Sequence, residues 1–296
     1  MFALLWVPAT IAASALQVAR NGLQRGLVPS AGPWGATLVR FLFGLPFSLV
    51  FVAAAAIVTP QARPHLTPVF WAAAMTGAVA QVLATAALLV AMRRAGFAVG
   101  TALQQSSLPL AAILGLIIFH DQLTVVAWIG VAVTTAGLAA LTWPRGATGE
   151  KPLSGAMFGL LSGLCFGFSL NAFRHATMAM EPAHPVYAAV ASVAVVQAMQ
   201  AAVLTVWLGF RDRGALAAVV KGWRESLLAG LCGACASACW FLALGLAPAA
   251  PVRAVGVIEA PMAALAGRRF FAEKLHVRQI LAGLAVIVGV VMTTLR

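Results

Sequence analysis

Apolar residues run along this chain in long stretches separated by short polar ones. A helix needs about 20 residues to cross a bilayer. Ten runs of that order can be read, at approximately 3–22, 35–58, 68–91, 97–118, 124–143, 153–173, 185–209, 226–246, 250–271 and 277–294. Helices rather than strands are expected, because backbone groups in lipid must be paired within their own segment. The expected fold class is therefore an all-α integral membrane protein with ten transmembrane helices. No connection exceeds about 17 residues, which leaves no room for a soluble domain.

The runs repeat. Trp71 to Pro144 can be laid without a gap on Trp223 to Arg296, a shift of 152 residues. The shift places Pro109 on Pro261, Ala111-Ala112 on Ala263-Ala264, Gly115 on Gly267 and Asp121 on Glu273. Nearer the N-terminus a shift of 150 places Asn21 on Asn171. The polar, turn-rich stretch from Trp143 to Pro152 divides the copies. Residues 1–146 are expected to form a first five-helix repeat and 147–296 a second. An odd number of spans per copy sends the second copy into the membrane in the opposite direction. The expected architecture is thus two inverted repeats, with the symmetry that alternating access requires.

Composition strengthens this picture. A mean hydropathy of +0.98 and 62% apolar residues exceed what a soluble fold of 296 residues can bury. The net charge of +12 would suggest a nucleic-acid partner on a soluble protein. Here the basic residues lie in short loops, so they are read as topology determinants, and no nucleic-acid partner is expected. Thirteen basic residues follow odd-numbered runs and three lie on the other side, a bias that puts both termini outside the cytoplasm. Ala13-Ser14-Ala15 has the form of a signal cleavage site, but no positive charge precedes the apolar run, so this span is expected to be retained.

Three stretches carry a family resemblance. Arg40-Phe41 stands early in the second run, with Pro33 and Arg25 before it. Ala111-Ala112 leads through Gly115 to Asp121-Gln122-Leu123 at the end of the fourth. Ile258-Glu259 leads through Ala263-Ala264 and Gly267 to Glu273-Lys274-Leu275 in the ninth. In these the chain resembles the ten-helix EamA-type members of the drug/metabolite transporter superfamily. The prolines come one residue late, the Gly-Glu pair reads His120-Asp121 and Ala272-Glu273, and Gln17-Val18 stands where Trp-Gly is common. The resemblance implies a secondary transporter, an exporter, in the bacterial inner membrane. It also implies cytoplasmic termini, against the charge count.

Polar residues inside apolar runs need a reason, since an ionisable group at the centre of a span costs roughly 2.5–3.5 kcal/mol. Glu259 is the foremost case, read as a proton-coupling or substrate-ammonium site, desolvated unless a cation such as Arg20 compensates, or else as a structural acid paired to an arginine. Gln17, Arg20, Asn21 and Gln24 share one helical face. They either line the transport path, with Arg20 holding an anionic group, or Arg20 and Gln24 snorkel to the interface. Thr101, Gln104 and Gln105 form a similar face, and Gln81 and Thr85 a smaller one. These polar residues are read either as cavity lining or as glue between helices. Asn171 joins the candidates as the repeat partner of Asn21. Arg253 could reach interface or cavity, and Trp240 could stack on a substrate or pack. Pro109 and Pro261 are each expected to free a carbonyl and bend a helix, as gate points or as static kinks.

Cys232, Cys235 and Cys239 lie among small residues and fit a helix contact better than a metal or redox site. No phosphate loop, catalytic set, metal spacing or cofactor motif is present in the sequence. The function read from the chain is secondary transport of a small polar metabolite such as an amino acid, by alternating access through a central cavity, driven by a proton gradient or by the substrate's own gradient. The alternatives are multidrug or cation efflux and a non-transporting membrane enzyme or lipid-handling protein. Amides and arginine favour the metabolite. The other partners expected are the lipid bilayer and, at most, a second copy of the chain.

Overall fold

The computed structural model describes residues 4–119, 124–142, 152–271, 281, 282, 284, 285, 288, 289 and 292. Most of the expected tenth run, nearly all of the linker, Asp121 and Glu273 lie outside the described residues. Among those described, the chain is helical and has no strand. The helices are α1 (Trp6–Leu42), α2 (Leu45–Val58), α3 (Pro68–Ala95), α4 (Phe97–Gln104), α5 (Ser107–Phe119) and α6 (Val125–Thr142). They continue as α7 (Pro152–Met180), α8 (Pro185–Arg211), α9 (Arg213–Lys221), α10 (Trp223–Leu246), α11 (Ala249–Gly256) and α12 (Glu259–Phe271). Seven stretches among the described residues are long and apolar enough to cross a membrane.

The first stretch, Trp6–Val58, has 53 residues and would reach about 80 Å if straight. It folds back instead at Gly32, whose φ of 65° and ψ of 174° are not helical. Pro33 causes the break, because a residue before proline is disfavoured in the α region, and glycine accepts the positive φ. The reversal brings the Gln24 amide to 2.6 Å from the Ala36 carbonyl. In a straight helix those residues would lie about 18 Å apart. The first helical limb extends well past residue 22, where its expected run ends. Past residue 22 its buried positions are Gln24, Val28 and Ala31.

The chain divides into two compact units, Met1–Val82 with Ala172–Ala247, and Leu83–Asn171 with Pro248–Arg296. Each unit draws on both halves of the sequence. A shift of 152 carries residues 20–82 onto 172–234 within the first unit, and 96–144 onto 248–296 within the second.

In the first unit, Leu38, Val39 and Phe41 of α1 pack with Leu204 and Leu208 of α8, Val219 of α9 and Ala229 of α10. Asp212 caps α9 by accepting from the Ala215 backbone N–H at 2.9 Å. A Cβ on Gly230 would lie 2.6 Å from the Phe43 carbonyl oxygen and 2.7 Å from the Gly44 nitrogen, so α10 meets the α1–α2 junction backbone to backbone. The buried residue of α2 is Ser48, while Leu49, Val50 and Ile57 are exposed. Polar inside and apolar outside is the pattern expected when lipid is the solvent.

In the second unit, Leu108 and Ala112 of α5 pack with Val131 of α6 and with Ala250 and Ala254 of α11. Gly155, Gly159, Gly163 and Gly167 give α7 a bare face, four residues apart, against Ala95, Leu103, Ser106 and Leu110. Small residues at that spacing let helix axes approach closely in lipid.

Candidate functional site

Two helix interruptions define the second unit. The fourth run breaks between α4 and α5 at Gln105-Ser106, and the ninth between α11 and α12 at Val257-Ile258. All four helix boundaries superpose under the shift of 152 residues. So do the bonds across the breaks. Gln105, Ser106 and Leu108 N–H groups donate to the carbonyls three residues back, and Val257, Ile258 and Ala260 do the same.

The prolines explain where the breaks fall. Pro109 and Pro261 are the third residues of α5 and α12, where an N–H has no helical partner in any case. Their rings would clash with the carbonyls of Gln105 and Val257 if the preceding helix continued. Each helix therefore leaves the α pattern for one tightened turn four residues before its proline, while Gln105 (φ −65°, ψ −12°) and Val257 (φ −60°, ψ −18°) keep helical dihedrals. The tightened i→i−3 turns keep the backbone paired through the break.

The breaks hold a polar cluster. Arg253 of α11 donates from Nε to Ser107 Oγ at 2.7 Å, from Nη2 to Gln105 Oε1 at 2.5 Å and from Nη1 to Glu259 Oε1 at 3.3 Å. Gln105 Nε2 donates to Glu259 Oε2 at 3.2 Å. Arg253 and Glu259 are 2% and 0% exposed, so this ion pair is shielded from solvent and lipid alike. Arg253 thus faces inward, not to the interface, and is an arginine paired to Glu259. Glu259 stands at the first position of α12, where the positive end of a helix also favours an anion.

The first unit has its own cluster. Arg20 is fully buried and donates from Nε and Nη2 to Asn21 Oδ1 at 3.2 and 2.7 Å, which corrects the snorkelling alternative. Trp240 Nε1 donates to Gln17 Oε1 at 3.0 Å, so Trp240 is tied into the unit's interior. Arg40 Nη2 donates to Ser237 Oγ at 3.3 Å. A Cβ on Gly233 would lie 3.3 Å from Arg20 Cδ and 3.4 Å from Arg40 Cβ, so the two arginines flank one bare position of α10. Gln81 accepts from Gln200 Nε2 at 3.0 Å, a tie between α3 and α8.

Asn171 Nδ2 donates to the Gly167 and Ala111 carbonyls at 3.1 and 3.3 Å, a helix tie within the second unit. Gln104 is buried, and its Oε1 has no partner among the described residues. Ser107, Ser237, Gln197 and Gln200 are polar contributors that had not been singled out. Gln197 and Gln200 are three apart on one helix, a spacing that could have marked them. The serines carry no such signal. The four cysteines are free thiols. Among the described residues no group of three or more His, Cys, Asp or Glu could hold a metal ion.

Set against known proteins, residues 3–143 match the model of the EamA-like transporter family. No curated protein matches. A crystal structure of a protein superposes with a TM-score of 0.64, covering 97% of this chain and 96% of that one at 15% identity. At that identity the likeness is one of fold.

Proposed function

We propose that the chain, whose residues 3–143 match the EamA-like transporter family of the drug/metabolite transporter superfamily, is a secondary transporter of a small polar metabolite. It works in the direction of export, by alternating access. One observation carries this reading, the matched pair of helix interruptions that holds Arg253, Glu259, Gln105 and Ser107 together inside the second unit. Interrupted helices place backbone termini and polar side chains at membrane depth, where an ordinary helix offers neither. Glu259 is the coupling group. A carboxylate that changes protonation while facing each side in turn carries a proton across.

The test is flux in proteoliposomes, screening amino acids, sugars and cationic drugs against an imposed proton gradient. Wild type accumulates its substrate. Glu259→Gln keeps the shape of the site but cannot titrate, so it loses gradient-driven accumulation and retains substrate exchange. Normal accumulation by this variant with unchanged proton dependence removes Glu259 from coupling. Preference for cationic drugs would replace the metabolite reading.

A further inference from the structure

Helix α8 leaves one face uncovered toward its C-terminal end. Ala202, Val203, Val206, Trp207, Phe210 and Arg211 line an open groove of about 610 Å³ there. The lining falls on two neighbouring ridges, residues 202, 206 and 210 and residues 203, 207 and 211, each with the four-residue spacing of a helix ridge. Phe210 is 85% exposed and Val203 68%. Residues 202 to 211 rise about 14 Å along the helix axis, close to the depth of one leaflet's hydrocarbon, about 15 Å. The groove is therefore as long as one leaflet is deep, apolar along its length and cationic at one end.

The cationic end lies at the level of the membrane surface. Helix α8 stops at Arg211, and Asp212 turns the chain into α9 by capping it. In α9, Ala215 and Val219 are buried, while Arg213, Val220 and Lys221 are exposed. A short helix with an apolar face on protein and a cation at each end suits the interface plane. Tryptophans gather at this level of a membrane. Trp34 packs on Trp207 with ring centroids 5.1 Å apart, and the exposed Trp223 opens α10 with the Arg224 guanidinium 5.4 Å from its ring centroid.

Charge decides which occupant fits. Arg213 Nε donates to the Gly209 carbonyl at 3.1 Å, which folds its guanidinium back over the last turn of α8. Lys221 and Arg224 flank the α9–α10 junction, and Leu27, two residues after Arg25, lies 3.9 Å from a Cβ built on Gly222 there. The acidic residues of the unit are Glu181, Asp212 and Glu225. Glu181 stands before the first turn of α8, about 40 Å from Arg211 along the helix. Two carboxylates thus face five cations at this end, and one of the two, Asp212, is turned to the Ala215 N–H. A second copy of the chain is the rival occupant. Two copies related by a two-fold axis in one membrane meet with the same patch at the same depth. Arg211 and Arg213 of each would then lie beside those of the other, and like charges oppose that contact. An anion carried on an acyl chain matches both the cations and the apolar length.

We propose that the α8 groove binds one anionic phospholipid, its phosphate on Arg211 and Arg213 and its acyl chain along Val206, Val203 and Ala202 beside Trp207. The arginine fork takes two phosphate oxygens at once. The site needs the chain to span a membrane and is independent of what the chain transports. No covalent bond changes.

The experiment uses the purified full chain in detergent at low ionic strength, with dioleoyl phosphatidylglycerol and dioleoyl phosphatidylcholine as probes and bound lipid counted by native mass spectrometry. Wild type binds phosphatidylglycerol at least about fivefold more tightly than phosphatidylcholine, and added salt narrows the difference. Arg211→Gln weakens phosphatidylglycerol about fivefold, the share of one cation beside an anionic lipid, and leaves phosphatidylcholine unchanged. Arg211→Gln combined with Arg213→Gln removes the preference. Val206→Trp fills the groove and weakens both lipids with every charge in place. Arg93→Gln, an exposed cation of the other unit, keeps the wild-type preference. Circular dichroism verifies the fold of each variant, and the groove and charge variants read the site separately should one of them misfold. Equal affinity for the two lipids, an equal loss in Arg93→Gln, or a full preference in the folded double variant overturns the proposal. So does displacement of phosphatidylglycerol by equimolar glycerol phosphate, or a dimer that excludes the lipid and is broken by Val206→Trp.

Discussion

Arg253 holds the second unit's polar cluster together, because its guanidinium reaches Ser107, Gln105 and Glu259 at once. Removing it takes the ion-pair partner from a buried carboxylate. Arg253→Ala is expected to lower stability by about 3–5 kcal/mol, the cost of breaking a buried pair from one side. The double variant Arg253→Ala with Glu259→Gln should recover most of that loss, since no charge is left unmatched. Thermal unfolding of the four proteins in one detergent checks both statements, and equal loss in the single and double variants would contradict them. Glu259 was legible in the sequence as an acid inside an apolar run. Its partner was not, for a geometric reason. Residues six apart in an unbroken helix point about 120° away from each other, and only the interruption at Val257-Ile258 lets Arg253 turn toward Glu259.

Helices in this protein are cut by proline and joined by glycine. The prolines were legible, and so was their repetition. That each ends one helix and begins the next depends on the position of the ring relative to a carbonyl four residues back, which no hydropathy pattern records. Pro261→Ala removes the clash with the Val257 carbonyl and lets α11 continue toward α12. Straightening would draw Glu259 from Arg253, so transport rate is expected to fall at least several-fold while thermal stability is kept. Measuring both on one preparation distinguishes this from simple misfolding, and an unchanged rate would make the interruption structural only. Gly230 tests packing. A methyl group there must displace the Phe43–Gly44 backbone, and Gly230→Ala is expected to cost about 1–3 kcal/mol, as overpacking does. An unchanged unfolding temperature would show that α10 can move aside.

At the scale of the whole molecule, charge and family give opposite orientations. The count of basic residues, thirteen against three, puts the termini outside the cytoplasm. A C-terminal reporter active only in the periplasm should therefore be active, and activity of a cytoplasm-only reporter would reverse the assignment. Outside the spans, the turn after α7 is tied to the α2–α3 connection. Glu181 accepts from the Arg63 and Ala183 backbone N–H groups at 3.1 Å each, and the His65 N–H donates to the Met180 carbonyl at 2.9 Å. The Arg63 N–H, helped by Ala183 and His184, holds the Glu181 carboxyl below its ordinary range. A depressed carboxyl stabilises the fold above its unfolded value, about 4.3, and that contribution is lost as pH falls through the folded value. Wild type should thus lose thermal stability on acidification below about pH 4.5. Glu181→Gln should be less stable at pH 7 and lose less on acidification. Parallel curves for the two proteins would remove Glu181 from the tie.

The sequence by itself determined that the protein is helical, apolar on its outside and duplicated, because those properties follow from composition, period and self-match, which survive any rearrangement in space. It also marked Glu259, Arg20, Pro109 and Pro261 as positions needing a reason. Partnership was decided only by the tertiary structure. Glu259 meets Arg253 because two repeated helices break at matched places, and Trp240 meets Gln17 because α1 and α10 pack side by side in one unit. The division into units was likewise invisible, since each draws equivalent segments from both copies. Period along a chain fixes which face of a helix a residue occupies. Which other face comes to meet it depends on where the chain turns, and here single residues set those turns, Gly32 before Pro33 and the breaks ahead of Pro109 and Pro261.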